Sequence, residues 1–142
     1  MAIPHNILGI DYGERRIGIA LASMEARMAT PLLTIDTAKF SDPLQKLNEV
    51  VNENEVAVIV VGLPRGMDGQ ETAQTELARK FASELKKKTG LPVYLQDEAA
   101  TSLVAEDELK ASGQQYDKSD IDKLAASIIL RDWLTHTEVR AK

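Results

Sequence analysis

Cysteine is absent from the 142 residues, and histidine occurs only at positions 5 and 136. Without cysteine the chain has no disulfide, no thiolate nucleophile and no zinc–cysteine site. Because His5 and His136 lie near the two ends, a histidine-based triad or zinc site is not expected. No apolar run reaches the roughly 18 residues of a membrane-spanning helix. The first residues have neither the basic nor the apolar region of a signal peptide. We therefore expect a cytoplasmic protein with no membrane partner.

Basic residues are also the minority: 17 lysines and arginines face 22 aspartates and glutamates, a net charge of −5. Tight non-specific binding to nucleic acid rests on a basic surface, so this balance argues against it. It does not exclude a nucleic-acid enzyme, because metal-binding carboxylates make such an enzyme more acidic and the metal restores local positive charge. The length predicts one domain over residues 1–142, large enough to bury its own core.

The hydrophobic pattern predicts elements in the order βββαβαβαα, an α/β domain with a mixed five-stranded sheet flanked by helices. Strands over 7–10, 17–22 and 28–35 should form an antiparallel meander, with Pro31 indicating an edge position. The β-branched run 56–62 is typical of a central parallel strand buried on both faces, and 93–95 adds the fifth strand. Helices are expected over 43–54, 73–88, 101–111 and 120–136. In the second helix, Leu77, Phe81 and Leu85 should face the core.

Three carboxylates occupy informative places in this pattern. Asp11 ends the first strand, Glu98 ends or follows the last strand, and Asp122 lies in the first turn of the last helix. Ligands of open α/β sheets bind off the carboxyl ends of strands, and a helix packed on the sheet can supply the third acid. Hard oxygen ligands suit Mg²⁺ or Mn²⁺. Two such ions activate water and stabilise the leaving oxygen in phosphodiester hydrolysis. The three acids are therefore the predicted catalytic and metal-binding residues.

Two aspartates at the start of the last helix compete for the third position. At about 100° per residue, Asp122 points the same way as Ala126, Ile129 and Trp133, which is a packed face. Asp120 points with Lys123, Ser127 and Arg131, which is a solvated face. An acid at the top of a buried stripe is the better candidate, so we favour Asp122.

Each of the three acids also has a purely structural interpretation. Asp11 can cap its own turn as an Asx residue. Asp122 lies three residues after Ser119 and can complete a capping box. Glu98 can be a first-turn acid placed for a helix dipole. The prediction of a site therefore depends on the three acids together.

Four stretches resemble the motifs of a known family. They are GIDYG at 9–13 with RRIG at 15–18, VVGLP at 60–64 with MDG at 67–69 and QT at 74–75, DE at 97–98 with Thr101, and DKLAA at 122–126 with IL at 129–130. The family is that of the YqgF-type pre-16S ribosomal RNA nucleases and Holliday-junction-resolvase-like proteins, and the resemblance covers nearly the whole chain. It implies a ribonuclease H-like fold with Asp11, Glu98 and Asp122 as the catalytic metal ligands. The implied substrate is precursor 16S rRNA, processed at its 5′ end in ribosome biogenesis, with the ribosome as a partner.

Arginines near the predicted site are the candidates for substrate binding. Arg15, Arg16 and Arg65 should contact phosphates as forked donors, which gives recognition of the backbone rather than of bases. The family usually has arginine directly after the glutamate of the third motif, where this chain has Ala99. That departure predicts weaker substrate binding and slower cleavage, and Arg65 is the candidate to compensate.

Other functions remain open at this level. A resolvase-like enzyme can act on branched DNA instead of RNA. Actin-like sugar kinases and chaperone ATPases share the Gly-x-Asp-x-Gly turn after a strand, but they need two domains and a later glycine-rich adenosine loop that is absent here. A non-catalytic binding module is favoured by the acidic charge and by Ala99, and it would be indifferent to Mg²⁺ and to loss of the three acids.

Overall fold

The computed structural model describes residues 4–98 and 100–141, with side chains described to residue 137. Along these residues the elements are β1 (Asn6–Tyr12), β2 (Arg16–Ser23), β3 (Thr30–Asp36), a short 3-10 turn (Thr37–Lys39), α1 (Pro43–Glu53), β4 (Val56–Pro64), α2 (Ala73–Thr89), β5 (Val93–Glu98), α3 (Thr101–Ser112) and α4 (Lys118–Ala141). The predicted order of strands and helices is confirmed. The 3-10 turn was not predicted.

The five strands form one mixed sheet in the order β3-β2-β1-β4-β5. The first three strands are an antiparallel meander, and β4 pairs in parallel with β1 on one side and β5 on the other. Pro31 lies in the edge strand β3, where the register with β2 slips, so the predicted edge position is confirmed. The predicted start of this strand is wrong: β3 begins at Thr30, and Met28 is 72% exposed.

Helices α1 and α2 cover one face of the sheet. Leu8 and Ile10 of β1 belong to this core together with Leu47, Val50, Val51, Phe81, Ala82 and Leu85 from the helices. The ring of Tyr12 stacks on Phe81 at a centroid distance of 4.2 Å. Leu77 is only half-buried. Phe81 and Leu85 are buried in the core as predicted, and Ala78 and Ala82 share their face of α2.

Helix α4 crosses the opposite face and lies almost directly on the backbone of three strands. A Cβ atom added at Gly18 of β2 would collide with the carbonyl oxygen of Asp122. One added at Gly9 of β1 would lie 2.7 Å from the Cβ atom of Leu130, and Gly62 of β4 is similarly close to the helix. Because these positions lack side chains, the first turn of α4 can approach the carboxyl end of β1.

The start and one face of α4 differ from the sequence prediction. The helix begins at Lys118, two residues early, because Asp117 and Asp120 cap each other's backbone N–H groups at 3.1 and 3.0 Å. Asp120 also pairs with Lys123 at 3.3 Å, as expected for a solvated side chain. Ser127 is only 7% exposed, however. The predicted solvated face is therefore wrong at Ser127.

The remaining helix ends follow the signals in the sequence. Asp42 Oδ1 accepts a hydrogen bond from the Gln45 N–H at 3.2 Å and Pro43 opens α1. Gly90, with a φ of 73°, ends α2 in the left-handed conformation that favours glycine. In the ranges 4–98 and 100–141, no helix combines the length and the apolar character that crossing a bilayer requires.

Candidate active site

Asp11 lies at the carboxyl end of β1, on the face covered by α4 and opposite Gly18 in the β1–β2 register. No hydrogen bond reaches its carboxylate within the described part of the chain, so the Asx turn considered from the sequence is not formed. Burial, and then the negative charge of Asp122, raises the pKa of Asp11 to about 7. The protein therefore stabilises the ionised form of Asp11 poorly.

Asp122 reaches the site because α4 begins on the backbone of β2. Arg16 Nε donates a hydrogen bond to Asp122 Oδ2 at 2.6 Å, and the two side chains are 38% and 17% exposed. The capping box predicted as an alternative role is wrong, since Asp117 and Asp120 cap this helix. The negative charge of Asp122 is instead directed at Arg16 and Asp11.

Glu98 is the last residue of β5 and precedes α3, which begins only at Thr101. It is therefore not a first-turn acid of that helix. Its Oε2 accepts a hydrogen bond from the Thr101 hydroxyl at 2.9 Å, and its carboxyl shares a hydrogen bond with Asp132 when one of the two acids is protonated. Burial and the adjacent Asp132 carboxyl raise the pKa of Glu98 to about 8, with a smaller contribution from Asp11 and an opposing one from Thr101.

Asp132 of α4 is a fourth acid of this region that the sequence analysis missed. Its carboxyl raises the pKa of Glu98 of β5, both through a hydrogen bond and through its charge. A signal was present, because at about 100° per residue Asp132 points the same way as Ala125 and Ile128. Both of these are buried against α3. The argument that selected Asp122, an acid continuing a buried stripe, applies equally to Asp132.

Arg65 joins the site from the loop after β4. Its backbone N–H donates to the Glu98 carbonyl oxygen at 2.9 Å, and its guanidinium pairs with Asp97 at 3.2 Å and Glu71 at 3.8 Å. The loop is thereby fixed beside the end of β5. Arg15 is exposed and has no ion-pair partner among the residues that the structure describes.

A cleft runs across these residues in two adjoining parts that share Asp11 and Ser102. The part of about 170 Å³ contains Glu98 and Arg65. The part of about 360 Å³ contains Arg15, Arg16, Asp122 and Gln74. Ala100, with a φ of 55°, holds a left-handed conformation where the chain turns from β5 into α3, a strain typical of functional sites. Ala99 lies outside the described residues.

The donor atoms of the site fit a hard divalent cation. Burial and a neighbouring carboxyl disfavour the ionised forms of both acids, Asp122 beside Asp11 and Asp132 beside Glu98. A cation would offset both. The arrangement is not that of a closed metal site, however. Among the side chains that the structure describes, in residues 4–98 and 100–137, no three His, Cys, Asp or Glu groups converge closely enough to hold one ion.

The strand order 3-2-1-4-5, with carboxylates from β1, β5 and the last helix on one face, defines a ribonuclease H-like α/β protein. The sequence profile of the RuvX family, which is described as Holliday junction resolvase, matches residues 5–136 of this chain. The chain therefore belongs to that family. The resemblance inferred from the four motifs is thereby confirmed.

Individual proteins agree with this assignment. The chain is 36% identical over 130 residues to a protein of Maridesulfovibrio salexigens named "Putative pre-16S rRNA nuclease", covering 90% of this chain and 96% of that protein. It is 41% identical over 129 residues to a protein of the same name from Crocosphaera subtropica, with 89% and 90% covered. The structure of T. thermophilus RuvC in complex with a Holliday junction substrate is similar with a TM-score of 0.59 at 16% identity, over 94% of this chain and 96% of that one.

Proposed function

We propose that this RuvX-family nuclease depends on Mg²⁺ or Mn²⁺ and hydrolyses phosphodiester bonds of structured nucleic acid. The proposed substrate is precursor 16S rRNA, cleaved at its 5′ end during ribosome maturation in the cytoplasm. Relatives 36% and 41% identical over about nine-tenths of the chain carry a name that states this substrate, which supports the choice.

One observation carries the catalytic part of the proposal. Carboxylates from three separate elements interact electrostatically around Asp11. The charge of Asp122 raises the pKa of Asp11, and the charge of Asp11 raises the pKa of Glu98. Like charges this close destabilise a fold unless they have a function or a counter-ion. Asp11, Glu98 and Asp122 are therefore the proposed catalytic residues and metal ligands.

The residues of the chain have separate tasks in this mechanism. Asp11 and Glu98 hold protons near neutral pH in the metal-free protein, so each has to lose its proton before it can act as a ligand. Divalent cations bound there would activate water and stabilise the leaving oxygen. Thr101 keeps one oxygen of Glu98 oriented through its hydroxyl. Asp11 lines both parts of the cleft, so a substrate bound in either part lies beside it.

Three arginines would hold the substrate along this cleft. Arg15 and Arg16 line the part beside Asp122, and Arg65 lines the part beside Glu98. Phosphates bound at both ends would place a scissile bond over Asp11. Contacts of this kind read the backbone and not the bases. The family description favours a second candidate substrate, a four-way DNA junction.

The test is cleavage of a structured precursor 16S rRNA fragment and of a four-way DNA junction, each with Mn²⁺, with Mg²⁺ and with EDTA. Wild type is compared with Asp11→Asn and with Asp68→Asn, a matched substitution of an exposed loop aspartate. We expect metal-dependent cleavage of the RNA by wild type and Asp68→Asn, and none by Asp11→Asn although it remains folded.

The other outcomes are equally informative. Cleavage of the junction alone would replace the RNA substrate with branched DNA. Cleavage retained by Asp11→Asn would remove Asp11 from the mechanism. If folded wild-type protein binds RNA but cleaves neither substrate, the chain is a binding module and the nuclease proposal fails.

A further inference from the structure

The contact between Arg16 and Asp122 joins a predicted substrate-binding residue to a predicted metal ligand. Arg16 Nε lies 2.6 Å from Asp122 Oδ2, a distance typical of a strong charge-assisted hydrogen bond. Both residues line the same part of the cleft, together with Asp11. The contact therefore engages one oxygen of Asp122 inside the candidate active site.

The backbone of both partners is closely packed, so a rotation of the side chains is enough to break the contact. Arg16 and Gly18 lie on the same face of β2, because side chains alternate along a strand. The backbone of Asp122 is pressed onto Gly18 and is held there by the packing of α4. Release of Asp122 from Arg16 therefore needs no movement of the helix.

Arg16 makes this contact through Nε alone. Its two terminal nitrogens have no hydrogen-bond partner among the described residues, and its side chain is 38% exposed in the cleft. A phosphodiester can take a guanidinium through two parallel hydrogen bonds, which is the geometry that guanidinium groups favour. A phosphate that takes Nε together with one terminal nitrogen would displace Asp122 from Arg16.

We propose that Arg16 is a positioning residue that withholds Asp122 from the cation site until a phosphate of the substrate binds Arg16 and releases it. This proposal rests on the proposed function for the identity of the substrate.

The proposal has a thermodynamic consequence that does not require cleavage. If Arg16 competes with the cation for Asp122, removing the guanidinium should tighten cation binding. A purely structural Arg16 that orients Asp122 as a ligand would do the opposite. By linkage, a phosphate bound at Arg16 and a cation bound at Asp122 should each strengthen binding of the other.

The experiment measures Mn²⁺ binding to the nucleic-acid-free protein by electron paramagnetic resonance, which separates free from bound Mn²⁺. Wild type is compared with Arg16→Gln and with Arg15→Gln, which removes the same charge from the same cleft without a contact to Asp122. We expect a roughly fivefold lower Kd for Arg16→Gln, the size of a partly exposed ion pair. Arg15→Gln should change it by much less.

A double-mutant cycle with Asp122→Asn tests whether the effect passes through Asp122. The gain from Arg16→Gln should vanish in that background. Dimethyl phosphate, the smallest phosphodiester, should tighten Mn²⁺ binding to wild type and not to Arg16→Gln at matched ionic strength. Circular dichroism and urea unfolding establish that each variant is folded.

The proposal is overturned if folded Arg16→Gln binds Mn²⁺ no more tightly than Arg15→Gln, or if its gain persists without Asp122. No response of wild type to dimethyl phosphate would remove the substrate from the release step. Because none of these readouts involves cleavage, a failure of the nuclease proposal would appear separately, in the cleavage experiment.

Discussion

Replacing Asp11 by asparagine is expected to stabilise the metal-free fold at alkaline pH. Folding raises the pKa of Asp11 from its ordinary 3.8 to about 7, through burial first and the charge of Asp122 second. A tenfold change in a protonation equilibrium is worth about 1.4 kcal/mol, so this rise corresponds to about 4 kcal/mol of lost stability once both states are ionised. Asparagine has nearly the same shape and carries no charge, so it should recover part of that loss.

The pH dependence has a definite sign because the pKa is raised. Below about pH 4 the folded and unfolded chains both hold the proton, and Asp11 has no effect on stability. Between about pH 4 and 7 the unfolded chain loses the proton while the folded chain keeps it, so stability falls as pH rises. Above about pH 7 the loss is complete. The advantage of Asp11→Asn should therefore grow from near zero at pH 4 to a few kcal/mol at pH 8.

The assay is urea unfolding followed by circular dichroism in EDTA, at several pH values from 4 to 8, with Asp68→Asn as the control. Saturating Mn²⁺ at pH 8 should reduce the advantage of Asp11→Asn, because a ligand stabilises only the state that binds it. The reasoning is refuted if Asp11→Asn is no more stable than wild type at pH 8 in EDTA. It is also refuted if the gain is the same at every pH.

Three further substitutions test the surroundings of the site. Gly18→Ala should lose about 1 to 3 kcal/mol or more in urea unfolding, because its Cβ atom would collide with the backbone of Asp122. Arg65→Ala removes only partly exposed ion pairs, so its stability should change by under about 1 kcal/mol while filter binding shows weaker retention of RNA. Asp132→Asn removes a carboxyl that raises the pKa of Glu98, so ¹³C NMR of the metal-free protein should show Glu98 ionising at lower pH. No shift of that titration would mean that Asp132 does not contribute to the raised pKa of Glu98.

Several parts of the fold could be predicted because they depend on residues close together in the sequence. The run of apolar, β-branched residues in β4 favours a strand that is buried inside a sheet. Asp42 as the N-cap and Pro43 as the first residue determine the start of α1. Asp11 and Glu98 were correctly expected at strand ends, where one short run of residues specifies both the strand and the acid that follows.

The parts that failed depend on contacts between distant elements. Ser127 was expected on a solvated face because the helical period does not show that α4 is packed on two sides, by the sheet and by α3. Asp132 was missed for the same reason, since its partner Glu98 comes from another element. The start of α4 was misjudged because Asp117 and Ser119 have equal capping chemistry.

By itself the sequence determined the order of the elements, the mixed sheet and the acids at the strand ends, because propensity, periodicity and turn chemistry act over a few residues. Only the tertiary structure decided that glycines let α4 rest on β2 and β1, bringing Asp122 to Asp11. It alone decided that Arg16, 106 positions away in the chain, holds Asp122. Such a contact depends on how two distant elements pack against each other, and the residues around either partner do not specify that packing.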